Sequence, residues 1–159
     1  MTAENWMLHP EKLNEKPLVI QAADAGYDVW MANNRGTRYS LEHKSLNATT
    51  DKAYWDFSWS EEGIYDGPAN IKKIVEVTGY EKVAFIGFSL GTMQMFYALA
   101  KDEDNFFKDH VSVFIALAPC TRLTNSNLGY ISMSQTVYDW YMSDIMETGI
   151  TSFYGPTWE

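Results

Sequence analysis

Lys82-Val-Ala-Phe-Ile-Gly-Phe-Ser-Leu-Gly-Thr92 is the stretch whose reading decides the fold. Val83 to Ile86 is an unbroken apolar run, the pattern of a strand buried on both faces. After Ser89 the period changes. Met93, Phe96, Tyr97 and Ala100 recur at i, i+3, i+4 and i+7, which predicts a helix with that face buried. Between strand and helix lie Gly87, Ser89 and Gly91 in the spacing G-x-S-x-G. The same spacing occurs in ordinary glycine-rich turns. The strand before it and the helix after it give it a more specific meaning.

A strand, a sharp turn carrying serine and then a helix is a nucleophile elbow. The turn holds the serine in a strained backbone so that its hydroxyl stands clear of the sheet. Large side chains at positions 87 and 91 are expected to collide with the neighbouring strand and helix, hence glycine at both. The amide of Leu90 falls at a helix N-terminus, where it can stabilise negative charge on a tetrahedral intermediate.

Working outward, Leu18 to Ala25 reads as a short helix entered at Pro17 and ended by Gly26. Tyr27 to Ala32 reads as a strand, followed at once by the turn residues Asn33-Asn34-Arg35-Gly36. Residues 37–65 are irregular and aromatic, and are expected to wrap over the sheet edge. Asp66 is placed to cap the next helix, with Pro68 in its first turn. Ile71, Ile74, Val75 and Thr78 form its buried face, and Gly79 ends it. Asp102-Glu103-Asp104 reads as a solvated loop. Val111 to Ala118 is a further buried strand, closed by Pro119. Strands alternating with helices in this order predict an α/β fold with a parallel sheet and two βαβ crossovers.

Composition bounds the function. The 159 residues are 46% hydrophobic and 15% aromatic, enough for a globular domain with a modest core. The net charge of -9 argues against a nucleic-acid partner, which needs a basic footprint, and leaves a neutral ester substrate open. Cys120 is the sole cysteine, so no internal disulfide forms, and it reads as a small buried residue after a strand. The three histidines show no metal-ligand spacing and no glycine-rich phosphate loop is present, so no metal or cofactor is implied. No run is long enough to span a membrane, and Met1 to Trp6 shows no signal-peptide pattern. Asn47-Ala48-Thr49 is a glycosylation sequon, relevant only to a secreted chain.

Beyond the elbow, the chain resembles the acid lipases, the gastric and lysosomal type of α/β-hydrolase. The residues that carry the resemblance are Asp24 to Gly36, Tyr39-Ser40 with His43, Trp55 to Ser58, Tyr65-Asp66 with Pro68-Ala69, the elbow, and Ala116 to Pro119. Order and spacing agree from about Trp6 to Pro119. The elbow departs in detail, because the family usually has His before the serine and Gln after it, where this chain has Phe88 and Leu90.

The resemblance implies a parallel-sheet α/β-hydrolase fold truncated at both ends. Residues 1–119 would be a partial hydrolase core and 120–159 the beginning of a cap or lid. The segment from Leu123 onward is aromatic, with Val137, Trp140, Tyr141 and Asp144 on one helical face. An ordinary core helix against the sheet is the other reading of that segment. The family's His-Gly oxyanion element would precede Trp6, and its triad Asp and His would follow Glu159.

The implied activity is hydrolysis of carboxylic esters in lipids, of the triacylglycerol or cholesteryl ester type, through an acyl-enzyme on Ser89. The resemblance implies a lipid ester as partner, with transient contact to a lipid surface, and a secreted or lysosomal setting. Of the histidines, His110 precedes a strand, at the end of the sheet opposite the elbow, while His9 and His43 lie in polar and loop segments. None is expected to act as the base, so the chain alone is expected to be nearly inactive. The alternative is a non-catalytic fragment or pseudoenzyme, and a third reading is a different hydrolase reaction such as a peptidase or thioesterase.

Overall fold

The computed structural model of the protein describes residues 16–121. Helix α1 spans Leu18–Asp24 and anchors through buried Val19, and Gly26 follows it at φ 90°. A 3-10 turn covers Lys52–Trp55. One α-helical turn, α2 (Trp59–Glu61), runs through a π-helical turn (Glu62–Asp66) into α3 (Gly67–Thr78). Strand β1 (Val83–Phe88), α4 (Leu90–Ala100), α5 (Phe106–His110) and β2 (Val111–Leu117) complete the order.

The strands pair in parallel, with Phe85 opposite Phe114 and Gly87 opposite Ala116. Parallel neighbours need a crossover, which α4 and α5 supply. The core is Ile71 of α3, Met95 and Ala98 of α4, and Phe107 of α5. Val83, Phe85, Val111 and Phe114 pack on it from the sheet, and Phe114 meets Phe96 edge-on at 5.2 Å. Gly79 ends α3 as expected, at φ 75°, with its N–H on the Val75 carbonyl.

Several expectations change. Residues 27–32 join no strand ladder, so the described residues contain one βαβ unit instead of two. A strand exists only where a neighbour takes its N–H and C=O groups, and among the described residues β1 is paired on β2 alone. The strands are also not buried on both faces. Alternation puts Ala84, Phe88, Val113 and Ile115 on the side away from the helices, where Val113 is 48% and Ile115 42% exposed. An apolar run reports that both faces are apolar, and burial needs a layer on each.

The buried face of α4 is Thr92, Gln94, Met95 and Ala98, while Phe96 and Ala100 are exposed. This helix is apolar on nearly every side, so its period cannot set its phase. Finally, residues 54–63 pack on α4 through Trp59 against Tyr97 (5.2 Å) and Gly63 against the Gln94 backbone. The sequence predicts the sheet edge for this segment, whereas these residues lie on the helix layer.

Asp102 lies in the loop read as solvated, yet its carboxylate accepts the N–H groups of Phe106 and Phe107 at 2.8 and 2.9 Å and caps α5. The expected cap segment from residue 123 onward lies outside the described residues.

Candidate active site

Ser89 stands between the last residue of β1 and the first of α4. Its backbone is at φ 50° and ψ -112°, a region that residues bearing a Cβ adopt only when held there. The Ser89 N–H donates to the Leu117 carbonyl at 2.9 Å and so continues the sheet ladder one residue past the strand. The Thr92 N–H donates to the Ser89 carbonyl at 2.9 Å and starts the helix. Leu90 opens α4, so its N–H has no partner within the helix.

Crowding explains one of the two glycines. A Cβ at Gly87 would lie 2.8 Å from the Gly91 carbonyl oxygen and 3.1 Å from the Thr92 nitrogen. Backbone atoms in the first turn of a helix cannot give way cheaply. Among the described residues a Cβ at Gly91 meets nothing within 4 Å, so a methyl group is accommodated there and crowding close to the backbone is confined to Gly87.

The turn after β2 faces the elbow. Ala118 is at φ 47°, a second residue with a Cβ at positive φ. The Cys120 N–H donates to the Thr92 hydroxyl at 2.9 Å, and Cys120 Sγ lies 3.9 Å from Ser89 Oγ. Cys120 is half-buried beside the serine.

The histidines stand elsewhere. His110 Nδ1 is 3.1 Å from the Glu81 carbonyl, ahead of β1. It therefore sits at the opposite end of the six-residue strand from Ser89, about 20 Å away at the rise of a strand. His43 Nδ1 accepts the N–H groups of Ser45 (3.1 Å) and Leu46 (2.9 Å), and its ring meets Tyr54 edge-on. His9 lies outside the described residues.

A polar network underpins α4 from the other side. Asn34 Nδ2 donates to Gln94 Oε1 at 3.0 Å, and Gln94 Nε2 donates to Glu62. Burial, then the charge of Asp66, push the Glu62 carboxyl up to about 6, against the hydrogen bond from Gln94 and the charge of Arg35. Its neighbour Glu61 shifts the other way, to about 2, because its carboxylate accepts from Ser58 Oγ and from the Ser58 N–H (2.8 Å). Two adjacent glutamates thus differ by environment alone.

Asp66 does not cap α3. Its carboxylate accepts the Arg35 N–H (2.8 Å), Nε (2.9 Å) and Nη2 (2.7 Å). That hydrogen bond first, then the charge of Asp66, hold the Arg35 pKa above its ordinary value against desolvation. The guanidinium also stacks over Phe57 and Tyr65, with ring centroids at 5.7 and 5.5 Å. A concavity lined by Arg35, Arg38, Tyr39, Asp66 and Asn70 opens on this side. Ser89 does not line it and Arg35 is already committed to Asp66, so the elbow is the better candidate.

A strand ending in a strained serine, a helix starting at the next residue and a parallel neighbour strand agree with a wider match. Residues 10–148 match the family model described as alpha/beta hydrolase fold. This chain belongs to the α/β-hydrolase fold family. Its curated relatives are lipases. It is 46% identical to Lipase lipl-3 of Caenorhabditis elegans over 115 residues, 72% of this chain and 27% of that protein. It is 42% identical to Lipase lipl-1 of the same organism over 118 residues, 74% of this chain and 28% of the relative. Lysosomal acid lipase/cholesteryl ester hydrolase of Macaca fascicularis is 38% identical over 117 residues, again 74% of this chain and 28% of the relative. The chain therefore spans about a quarter of the length of the curated relatives it matches.

Sequence reasoning missed Thr92, Glu62 and Gln94. Two signals were available: Gln94 is a long polar residue inside an apolar helix, and Thr92 directly follows the motif. Among the described residues no helix is long and apolar enough to cross a membrane, and no cluster of His, Cys, Asp or Glu could hold a metal.

Proposed function

We propose that this chain carries the nucleophile of a serine hydrolase that cleaves carboxylic esters of lipids, of the triacylglycerol or cholesteryl ester type. Ser89 Oγ attacks the ester carbonyl carbon, the alcohol leaves, and water releases the acid from the acyl-enzyme. The Leu90 backbone N–H donates one hydrogen bond to the oxyanion. Gly87 and Gly91 are the elbow glycines, and Gly87 keeps the helix start close to the strand. The reading rests on one observation above the others: Ser89 is at φ 50° where β1 passes into α4. The lipase names of the relatives support the substrate class.

A second reading has its own support. Among the described residues the side chain beside Ser89 Oγ is the Cys120 thiol, and no imidazole bonds to it. A serine hydroxyl without a base is a weak nucleophile at neutral pH. The purified chain is therefore expected to hydrolyse a short-chain p-nitrophenyl ester slowly, at the residual level left when triad members are removed. The test compares it with Ser89→Ala and follows labelling by a fluorophosphonate, with the modified residue identified by mass spectrometry. Slow labelling confined to Ser89 supports the nucleophile. Labelling that persists in Ser89→Ala sinks it, and fast turnover lost in Ser89→Ala would reveal a base and sink the non-catalytic reading.

A further inference from the structure

The Thr92 side chain joins the two strained turns. Its residue is 0% exposed, the most completely buried polar residue among those described. A buried hydroxyl must find partners for its donor and acceptor capacity. Thr92 Oγ1 donates to the Ser89 carbonyl at 2.6 Å and accepts the Cys120 N–H at 2.9 Å. The first bond is the common back-bond of a threonine to the preceding turn. The second reaches a residue 28 positions away, on the loop that follows β2.

The bonds close a circuit. From Ser89, the N–H leads to Leu117 on β2, and the carbonyl leads through the Thr92 hydroxyl to Cys120. Ala118, at φ 47°, lies between those two anchor points. Strained backbone persists only where its surroundings over-determine it. Here both residues are pinned within one ring of hydrogen bonds that a valine at position 92 would open.

We propose that Thr92 is a positioning residue: its hydroxyl holds the Ser89 turn and the 118–120 turn in register, and so sets the direction of Ser89 Oγ. That Ser89 is the nucleophile rests on the function proposed above. The strut itself does not, and its test is separate.

The primary measurement is nuclear magnetic resonance of the full 159-residue chain. In the parent protein the Cys120 amide should exchange slowly and the Ser89 backbone shifts should report positive φ. Thr92→Val keeps the shape and removes the hydroxyl. Exchange at Cys120 should then rise about tenfold, the value of one lost hydrogen bond, and the Ser89 shifts should move. Thr92→Ser keeps the hydroxyl and should restore both. Met95→Ala, a cavity in the core that leaves the ring intact, controls for lost stability. It should leave the Cys120 and Ser89 signals at parent values when compared at equal fraction folded.

The second readout is the rate of fluorophosphonate labelling at Ser89, expected to fall about tenfold in Thr92→Val and to recover in Thr92→Ser. Unchanged Cys120 exchange and Ser89 shifts in Thr92→Val would overturn the proposal, as would the same change in Met95→Ala. If the parent chain fails to label at Ser89, the nucleophile reading falls while the resonance comparison still decides the strut.

Discussion

The βαβ half of the molecule, from Val83 to Leu117, and the half from Asn33 to Asp66 are held together by different chemistry. The first is an apolar sandwich in which a backbone ladder aligns β1 with β2 and Ile71, Met95, Ala98 and Phe107 fill the space against the helices. The second is a mesh of side chains bonded to backbone and to one another. Arg35 grips Asp66, Trp55 Nε1 donates to the Ala48 carbonyl, and the Tyr54 hydroxyl donates to the Ser40 carbonyl. Its rings form a cluster in which Trp55 stacks on Phe57 and Tyr54 meets both edge-on. An apolar layer tolerates substitution by another residue of similar volume. A hydrogen-bonded mesh does not, because each lost partner leaves a polar group desolvated.

The largest expected effect breaks the mesh at its centre. Asp66→Ala removes the acceptor of three Arg35 donors, N, Nε and Nη2, and leaves the guanidinium without that carboxylate. Urea unfolding of the chain should show a loss of about 2 kcal/mol, the scale for lost hydrogen bonds to a charged group in a part-buried ion pair whose Arg35 side chain is screened by solvent. Hydrogen exchange should rise first in residues 33–66. A loss spread evenly over β1 and β2 instead would mean that the two halves are one cooperative unit despite their different chemistry.

Next comes the elbow, which separates crowding from convention. Gly87→Ala forces a Cβ to within 2.8 Å of the Gly91 carbonyl oxygen and should cost about 2 kcal/mol. Gly91→Ala meets open space among the described residues and should change stability by less than about 0.5 kcal/mol, with a gain from lower unfolded-state entropy. Thermal melts of the two variants side by side would decide it. Equal losses would contradict the packing described for position 91.

The smallest effect sharpens the polar side. The Glu62 carboxyl sits at about 6 in the folded chain against 4.5 unfolded. The folded state therefore binds the extra proton between those values, and stability falls as pH rises from 4.5 through 6. The penalty is absent below that window and complete above it. For a half-buried carboxylate it amounts to about 1 kcal/mol after solvent screening. Glu62→Gln should flatten this part of the stability profile. Glu61 works in the opposite direction: its depressed pKa contributes stability above 4.5 that is lost as pH falls toward 2. A Glu62→Gln profile parallel to the parent's from pH 4.5 to 6 would show that the network leaves Glu62 unperturbed.

Much of the apolar half was legible from the chain. The strand at Val83, the helices at Gly67 and Leu90, the strand at Val111 and the serine turn at position 89 all follow from a change of apolar period, and period is a local property. The mesh was legible only as a resemblance. Asn33 to Gly36 and Tyr65-Asp66 were recognisable as matching segments, but Asp66 reads locally as a helix cap and its partner Arg35 is 31 residues away. Nothing in a window of a few residues distinguishes the two roles.

By itself, then, the sequence determined the position of Ser89 at a strand-to-helix turn and the elements flanking it, because each depends on neighbours within one or two turns of chain, and the parallel pairing followed from the strand-helix-strand order by the crossover rule. Tertiary structure alone decided which side of α4 is buried, that Glu62 rather than Glu61 has its proton held more tightly, and that the Thr92 hydroxyl meets the Cys120 amide. Those outcomes depend on which surfaces meet when β1 and β2 close side by side. An all-round apolar helix, a pair of adjacent glutamates and a threonine after the motif carry no local mark of that meeting.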